Sequence, residues 1–314
     1  PPLAYETSLA QANFLWARGE YDAAAEALRR AIETAPDSID ARRFLWQVEL
    51  DAGRQEQALQ EMQQLVDLLL KQMREREAYE LLRQMLRLEP RAIAPLRAMA
   101  GLIYRHRGFP KALPAYRRLL AALRDQGLVD EALREYETVL NLEDAPVELR
   151  LEYADYLELL ERHREAKRQY LMAGRYVRDV LGDYGHASRL LAQAATEPLE
   201  PEDAEALEEL GVLRRIARMG AQAAQAFREA ARLHEARGFH ERALECLQQA
   251  MELVPGATRP GDLADMSRLL LAMGRRREAI EACRRAIKAV VRQDEEGEEE
   301  SVTREQLLAM RRQL

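Results

Sequence analysis

The chemistry open to this chain starts with Cys246 and with five histidines, His106, His163, His186, His234 and His240. A cysteine beside a histidine can become a thiolate nucleophile, because the imidazole accepts the thiol proton. His240 and Cys246 form the closest such pair in sequence, yet a spacing of six puts them far apart around one helix. Cys246 follows Ala243 by three and Cys283 follows Ala279 by four, which are packing positions, so both thiols are read as structural. No two histidines have the i, i+4 spacing of a helical metal site and no HExxH occurs, so they are read as surface or turn residues with no metal. The phosphate-cradling patterns GxxxxGK[ST] and GxGxxG are missing too, and no cofactor is expected. The carboxylate run from Asp294 to Glu300 repels itself and has no apolar wall beside it, so it reads as a solvated loop able to meet a basic partner. With no catalytic constellation left, the chain is expected not to be an enzyme.

What must position these residues is helix. The 314 residues are 47% hydrophobic, 6% aromatic and 32% charged, with only 15 Gly and 12 Pro, and Ala, Leu, Glu, Arg and Gln dominate. That length exceeds one compact core and implies two domains or an elongated array. A net charge of -7 gives no footprint for general nucleic-acid binding. Two cysteines in separate helical stretches suit a reducing compartment, and no apolar run is long enough to span a membrane, so a cytoplasmic location is expected. The start PPLAYETSL lacks a basic n-region, an apolar h-region and an initiator Met, so the chain is expected to be a processed or excised piece.

Self-similarity organises the helices. In ARGEYDAAAEALRRAIETAPDS, residues 17–38, a turn at Gly19 is followed by Tyr21, Ala24, Ala31 and a helix-ending Pro36. Gly breaks the preceding helix, small Ala residues let two helices approach closely, and Pro prevents continuation. This pattern resembles the tetratricopeptide repeat, a helix-turn-helix unit of about 34 residues. The Ala after each turn recurs at Ala24, Ala58, Ala78, Ala112, Ala132, Ala166, Ala187, Ala223, Ala243 and Ala279, and Ala223, Phe227 and Ala230 give the nearest match to the family's Ala-x3-Phe element. Helix-ending prolines stand at Pro36, Pro90, Pro146, Pro198 and Pro255.

The spacings between these alanines run 34, 20, 34, 20, 34, 21, 36, 20 and 36. A 20-residue step has room for one helix only, so QEQALQEMQQLVDLLLKQ must serve as second helix of one hairpin and first helix of the next. The expected organisation is a single array over 1–314: an ordinary hairpin at 5–36, three-helix units at 39–91, 92–146, 147–201 and 202–256, and a partial unit at 260–314 with an acidic loop at 294–301 and a last helix capped by Ser301 or Thr303. Armadillo-type repeats are the nearest rival and are shorter, about 40 to 47 residues. Seven residues before the turn the first helices carry small Ala12, Gly101, Ala154, Gly211 and Ser267, while the shared helices carry Val66, Leu120, Arg175, Ala231 and Ile287; Trp46 breaks the small-residue rule. The resemblance implies an all-α fold, a right-handed α-solenoid or superhelix of about 17 helices.

The same resemblance implies a protein-interaction scaffold or adaptor whose concave face is lined by first helices and holds a peptide or helical segment of a partner. Mapped onto this sequence, that face takes Asn13, Trp16, Arg43, Gln47, Leu102, Arg105, Leu151, Asp155, Glu158, Val212, Arg215 and Arg268. Asp155 and Glu158 would attract a basic residue, and Arg43, Arg105 and Arg215 an acidic one. Trp16 is a possible anchor, and Trp46 is placed in the core. The alternative reading is a peptide- or effector-sensing regulatory domain of a larger protein. Self-association through the terminal helices, including the amphipathic TREQLLAMRRQL, is a further expectation.

Overall fold

A computed structural model describes residues 2–253 and 259–296. Those residues form sixteen α-helices and no strand. The chain divides into two compact units, Pro1–Ala145 and Pro146–Leu314.

The first unit contains α1 (Pro2–Ala17), α2 (Tyr21–Thr34), α3 (Ile39–Asp51), α4 (Gln55–Lys71), α5 (Glu75–Leu88), α6 (Ile93–Arg107), α7 (Phe109–Asp125) and α8 (Val129–Leu140). Each packs on its sequence neighbours. The short links leave little choice, because a turn of one to four residues returns the chain antiparallel beside the helix it has just left. Gly53 shows how such a turn closes. Its φ of +77° reverses the chain, and the N–H groups of Gly53 and Arg54 then donate to Leu50 and Glu49 carbonyls left open by the end of α3. Met73 holds the corresponding position after α4 at φ 59° without the freedom of glycine.

All ten marker alanines are fully buried at 0% exposure. Their methyl groups sit where helices cross, and a larger side chain there would hold the backbones apart. A single helix, α4, fills the interval that the 20-residue step implied, and it packs on both α3 and α5. Its buried residues explain how. Ala58, Met62, Leu65 and Leu69 form the centre of a stripe, while Val66 and Leu68 lie on either side of it, giving an apolar arc about 160° wide at roughly 100° per residue. An arc this wide covers two neighbours, where about 100° suffices for one. Each fully buried Leu in it contributes about 1.5–3 kcal/mol.

The second unit contains α9 (Val147–Leu159), α10 (His163–Tyr176) with a π-helical turn Val177–Leu181, α11 (Tyr184–Ala194), a 3₁₀ turn Pro201–Asp203, α12 (Ala204–Ile216), α13 (Gly220–Ala236), α14 (His240–Glu252), α15 (Pro260–Ala272) and α16 (Arg276–Glu296). The small residues of its first helices are tightly used. A Cβ on Gly211 would lie 3.0 Å from the Phe227 ring, whereas a Cβ on Gly101 in the first unit would meet nothing within 4 Å. Residues 294–296 of the expected acidic loop are helical, because α16 continues through Glu296. Pro255, the rest of the acidic run, the Thr303 cap and the last helix lie outside the described residues.

Within each unit, side chains also link helices two apart in order. Trp16 of α1 donates to Asp51 of α3 at 2.9 Å, and Arg43 of α3 donates to Glu77 of α5 at 3.0 Å. Arg97 of α6 donates to Glu135 of α8 at 2.7 Å. In the second unit Arg175 joins α10 to Glu209 of α12, Arg215 joins α12 to Gln249 of α14, and Arg268 joins α15 to Glu235 of α13. Helices two apart are therefore side-by-side neighbours, and each unit is a pair of helix layers with the chain alternating between them.

Candidate partner-binding surface

The alternation redistributes the residues expected on one face. In the second unit α9 and α15 share the layer of α13, while α12 lies in the layer of α10 and α14. Leu151, Asp155, Glu158 and Arg268 thus fall in one layer, and Val212 and Arg215 in the other. In the first unit Asn13, Trp16, Arg43 and Gln47 belong to the layer of α1, α3 and α5, and Leu102 and Arg105 to that of α6 and α8. The physical reason is parity: each repeat has three helices, an odd number, so within a unit the first helices of successive repeats enter alternate layers.

Burial sorts the set further. Leu102 is 3% exposed and belongs to the core, which corrects its place on a surface. Val212 is half-buried against the core around Phe227 and Leu247. Asn13 is exposed, and Gln47 and Leu151 are half-buried. Trp16 is half-buried, with its ring edge-on to Phe44 at 5.1 Å and 73° and its N–H committed to Asp51. Trp46 is half-buried, with its indole N–H enclosed and unpartnered among the described residues. Arg43, Arg105 and Arg268 are exposed and each pairs with a neighbouring helix: Arg43 with Glu77, Arg105 with Glu75 at 3.2 Å, and Arg268 with Glu235 and Asp265. Glu75 also pairs with His106.

Asp155 accepts a hydrogen bond from the Tyr170 hydroxyl at 2.7 Å, and Glu158 pairs with His163 Nδ1 at 2.6 Å. Burial, with Asp155 adding to it, pushes the Tyr170 hydroxyl well above its ordinary range, so it remains the donor. Glu158 borders a cleft of about 560 Å³ between the α9–α10 turn and the loop before α12. Those two segments share an end of the unit because successive helices run antiparallel. The floor is Lys167, whose ammonium donates to Asp203 at 2.7 Å and to the Pro198 carbonyl at 2.9 Å, with both charged side chains 8% exposed. On the walls Arg162 is held by Glu165 and Arg164 by Glu200. Glu161 and Glu197 also line the cleft and pair with no cation among the described residues.

A second constellation escaped the sequence reading. His234 is fully buried, which corrects its reading as a surface or turn residue, and it faces Glu208 with Nε2 at 3.1 Å from Oε2. His234, not His240, is the histidine beside Cys246: the ligand atoms of Glu208, His234 and Cys246 all lie within 4.8 Å of one another. They come from α12, α13 and α14, so no spacing on one helix could reveal them. Burial, assisted by Glu208 and Glu245, pushes the Cys246 thiol up to about 12, so it is protonated and inert as a nucleophile. Neither cysteine is in a disulfide, and both are buried.

Residues 6–48, covering α1, α2 and most of α3, match the tetratricopeptide repeat family. No curated protein gives a significant match in sequence. Among solved structures, the tetratricopeptide domain of P58(IPK) is similar at 14% identity over 90% of this chain and 92% of that one, with a TM-score of 0.26. A tetratricopeptide repeat protein from Parabacteroides merdae is similar at 18% identity over 85% and 99%, with a TM-score of 0.29. Residues 6–48 thus carry a tetratricopeptide repeat, and each unit is an all-α stack of antiparallel helices. No described helix is long and apolar enough to cross a membrane.

Proposed function

We propose that this chain is a non-catalytic scaffold that holds a peptide or helical segment of another protein, each unit offering a face of its own: Asn13, Trp16, Arg43 and Gln47 in the first, and Leu151, Asp155, Glu158 and Arg268 in the second. The observation that supports this most is the cleft beside Glu158, where Glu161 and Glu197 are left without a cation. A segment bearing Lys or Arg gains charge-assisted hydrogen bonds there. The surface contact from His163 to Glu158 holds little against it, since exposed ion pairs contribute about 0–1 kcal/mol. Cys246 and Cys283, buried and in no disulfide, support a reducing, cytoplasmic setting.

The reading is tested by fluorescence anisotropy with two labelled peptides of equal length, one bearing Lys and Arg, the other Asp and Glu. The basic peptide should bind, weaken with added salt, and lose roughly tenfold in affinity, about 1.4 kcal/mol, in the triple variant E158Q/E161Q/E197Q with helicity and melting unchanged. Equal binding of both peptides, or an unaltered affinity in the variant, would remove the cleft from the proposal.

A further inference from the structure

We infer that Glu208, His234 and Cys246 form a binding site for a divalent ion of the zinc class, where α12, α13 and α14 meet. The three side chains offer a carboxylate oxygen, an imidazole nitrogen and a sulfur, the donor set that selects zinc-like ions over magnesium or calcium. Their mutual distances suit such an ion. Nitrogen and oxygen ligands each about 2.0–2.1 Å from one tetrahedral centre stand about 3.3 Å apart, and sulfur at about 2.3 Å stands about 3.5 Å from either. The His234 to Glu208 distance is 3.1 Å, and every pair of ligand atoms lies within 4.8 Å, so closure takes side-chain movements on the order of an ångström.

The ion binds His234 through Nε2, the nitrogen that faces Glu208, and takes the place of the hydrogen bond between them, with the ring proton on Nδ1. The ring is 0% exposed and Nδ1 is enclosed with no hydrogen-bond partner, so His234 lacks the pairing of a structural histidine, since buried polar atoms in native folds are nearly always satisfied. Cys246 is 1% exposed, so a thiolate would not persist there without a cation to stabilise it. On binding, the Cys246 thiol loses its proton to solvent and the Cys246 Sγ to metal bond forms in its place. Glu208 is only half-buried and leaves the ion an entry path and a position for water. The bound ion would join three helices that pack around Phe227, Ala230, Ala243 and Leu247.

Cobalt(II) is the probe, because tetrahedral thiolate coordination gives it visible d–d bands and a sulfur-to-metal charge-transfer band. Titrating the metal-free chain should reach both bands at one equivalent, with zinc displacing the cobalt. Cys246→Ser should abolish the charge-transfer band, Cys283→Ser should keep it, and Glu208→Gln should weaken binding roughly 10- to 100-fold. Circular dichroism of each variant establishes that it is folded, and the unaltered chain alone decides the matter should Cys246→Ser unfold. Absence of the charge-transfer band in the unaltered chain, or its persistence in folded Cys246→Ser, overturns the site.

Discussion

Arg228 in α13 donates three hydrogen bonds of 2.8, 3.0 and 2.9 Å to Asp262 in the first turn of α15, passing α14 to reach it. The two residues stand 34 apart, and Asp262 is 5% exposed. Lys167 and Asp203 make the equivalent link from α10 to the entry of α12. Breaking a buried pair leaves one charge unneutralised, which costs more than the pair itself contributes. Arg228→Ala should therefore lower stability by about 3–5 kcal/mol, while the double variant Arg228→Met with Asp262→Leu should lie near the parent. Urea denaturation of the three proteins checks this; a parent-like Arg228→Ala would mean that water already screens the contact.

Two glycines on equivalent helices should respond with opposite signs. Gly211→Ala places a methyl 3.0 Å from the Phe227 ring, where the packed core cannot yield, and should cost about 1–3 kcal/mol. Gly101→Ala meets nothing within 4 Å and should gain about 0.5–1 kcal/mol from helix propensity. Thermal melting of both variants is the measurement, and a shared sign would contradict the packing difference.

Met73 sits at φ 59° after α4 with its side chain 79% exposed. A left-handed conformation costs a residue with a Cβ about 1–2 kcal/mol, and glycine's extra freedom in the unfolded chain returns about 0.5–1. Met73→Gly should thus stabilise the chain by about 0.5–1 kcal/mol. Hydrogen exchange at the ends of α4 and α5 should slow in parallel.

Asp265 predicts a pH response. Burial pushes its carboxyl above the usual carboxylate range, with Arg268 at 3.0 Å opposing the shift. The folded chain thus holds this proton to higher pH than the unfolded chain does. Its stabilising contribution is complete below the unfolded value of about 3.9 and is lost as pH rises through the raised folded value. Asp265→Asn removes the titration. Its melting temperature relative to the parent should be more favourable at pH 7 than at pH 4, and an equal difference at both would contradict the shift.

The alanine register was readable because crossing helices demand a small side chain at a fixed place in every repeat, and all ten markers are indeed fully buried. The links within each layer carried a further signal: Arg43 and Glu77, Arg175 and Glu209, and Arg228 and Asp262 are all 34 residues apart, the period of the hairpin. Opposite charges recurring at that interval mark helices lying side by side. His234 and Cys246 had no such signal, since Glu208 lies 26 residues from the histidine and on another helix.

Amino-acid order alone settled that the chain is helical, where most of its turns fall, and which small residues face the crossings, because each of these depends on side-chain size and backbone freedom within one or two turns of chain. Tertiary structure decided which layer each helix enters, which charges are neutralised, and that a carboxylate, an imidazole and a thiol from α12, α13 and α14 converge. Those outcomes depend on how a helix is placed relative to the one after next, and that placement is fixed by the packing of the helix between them.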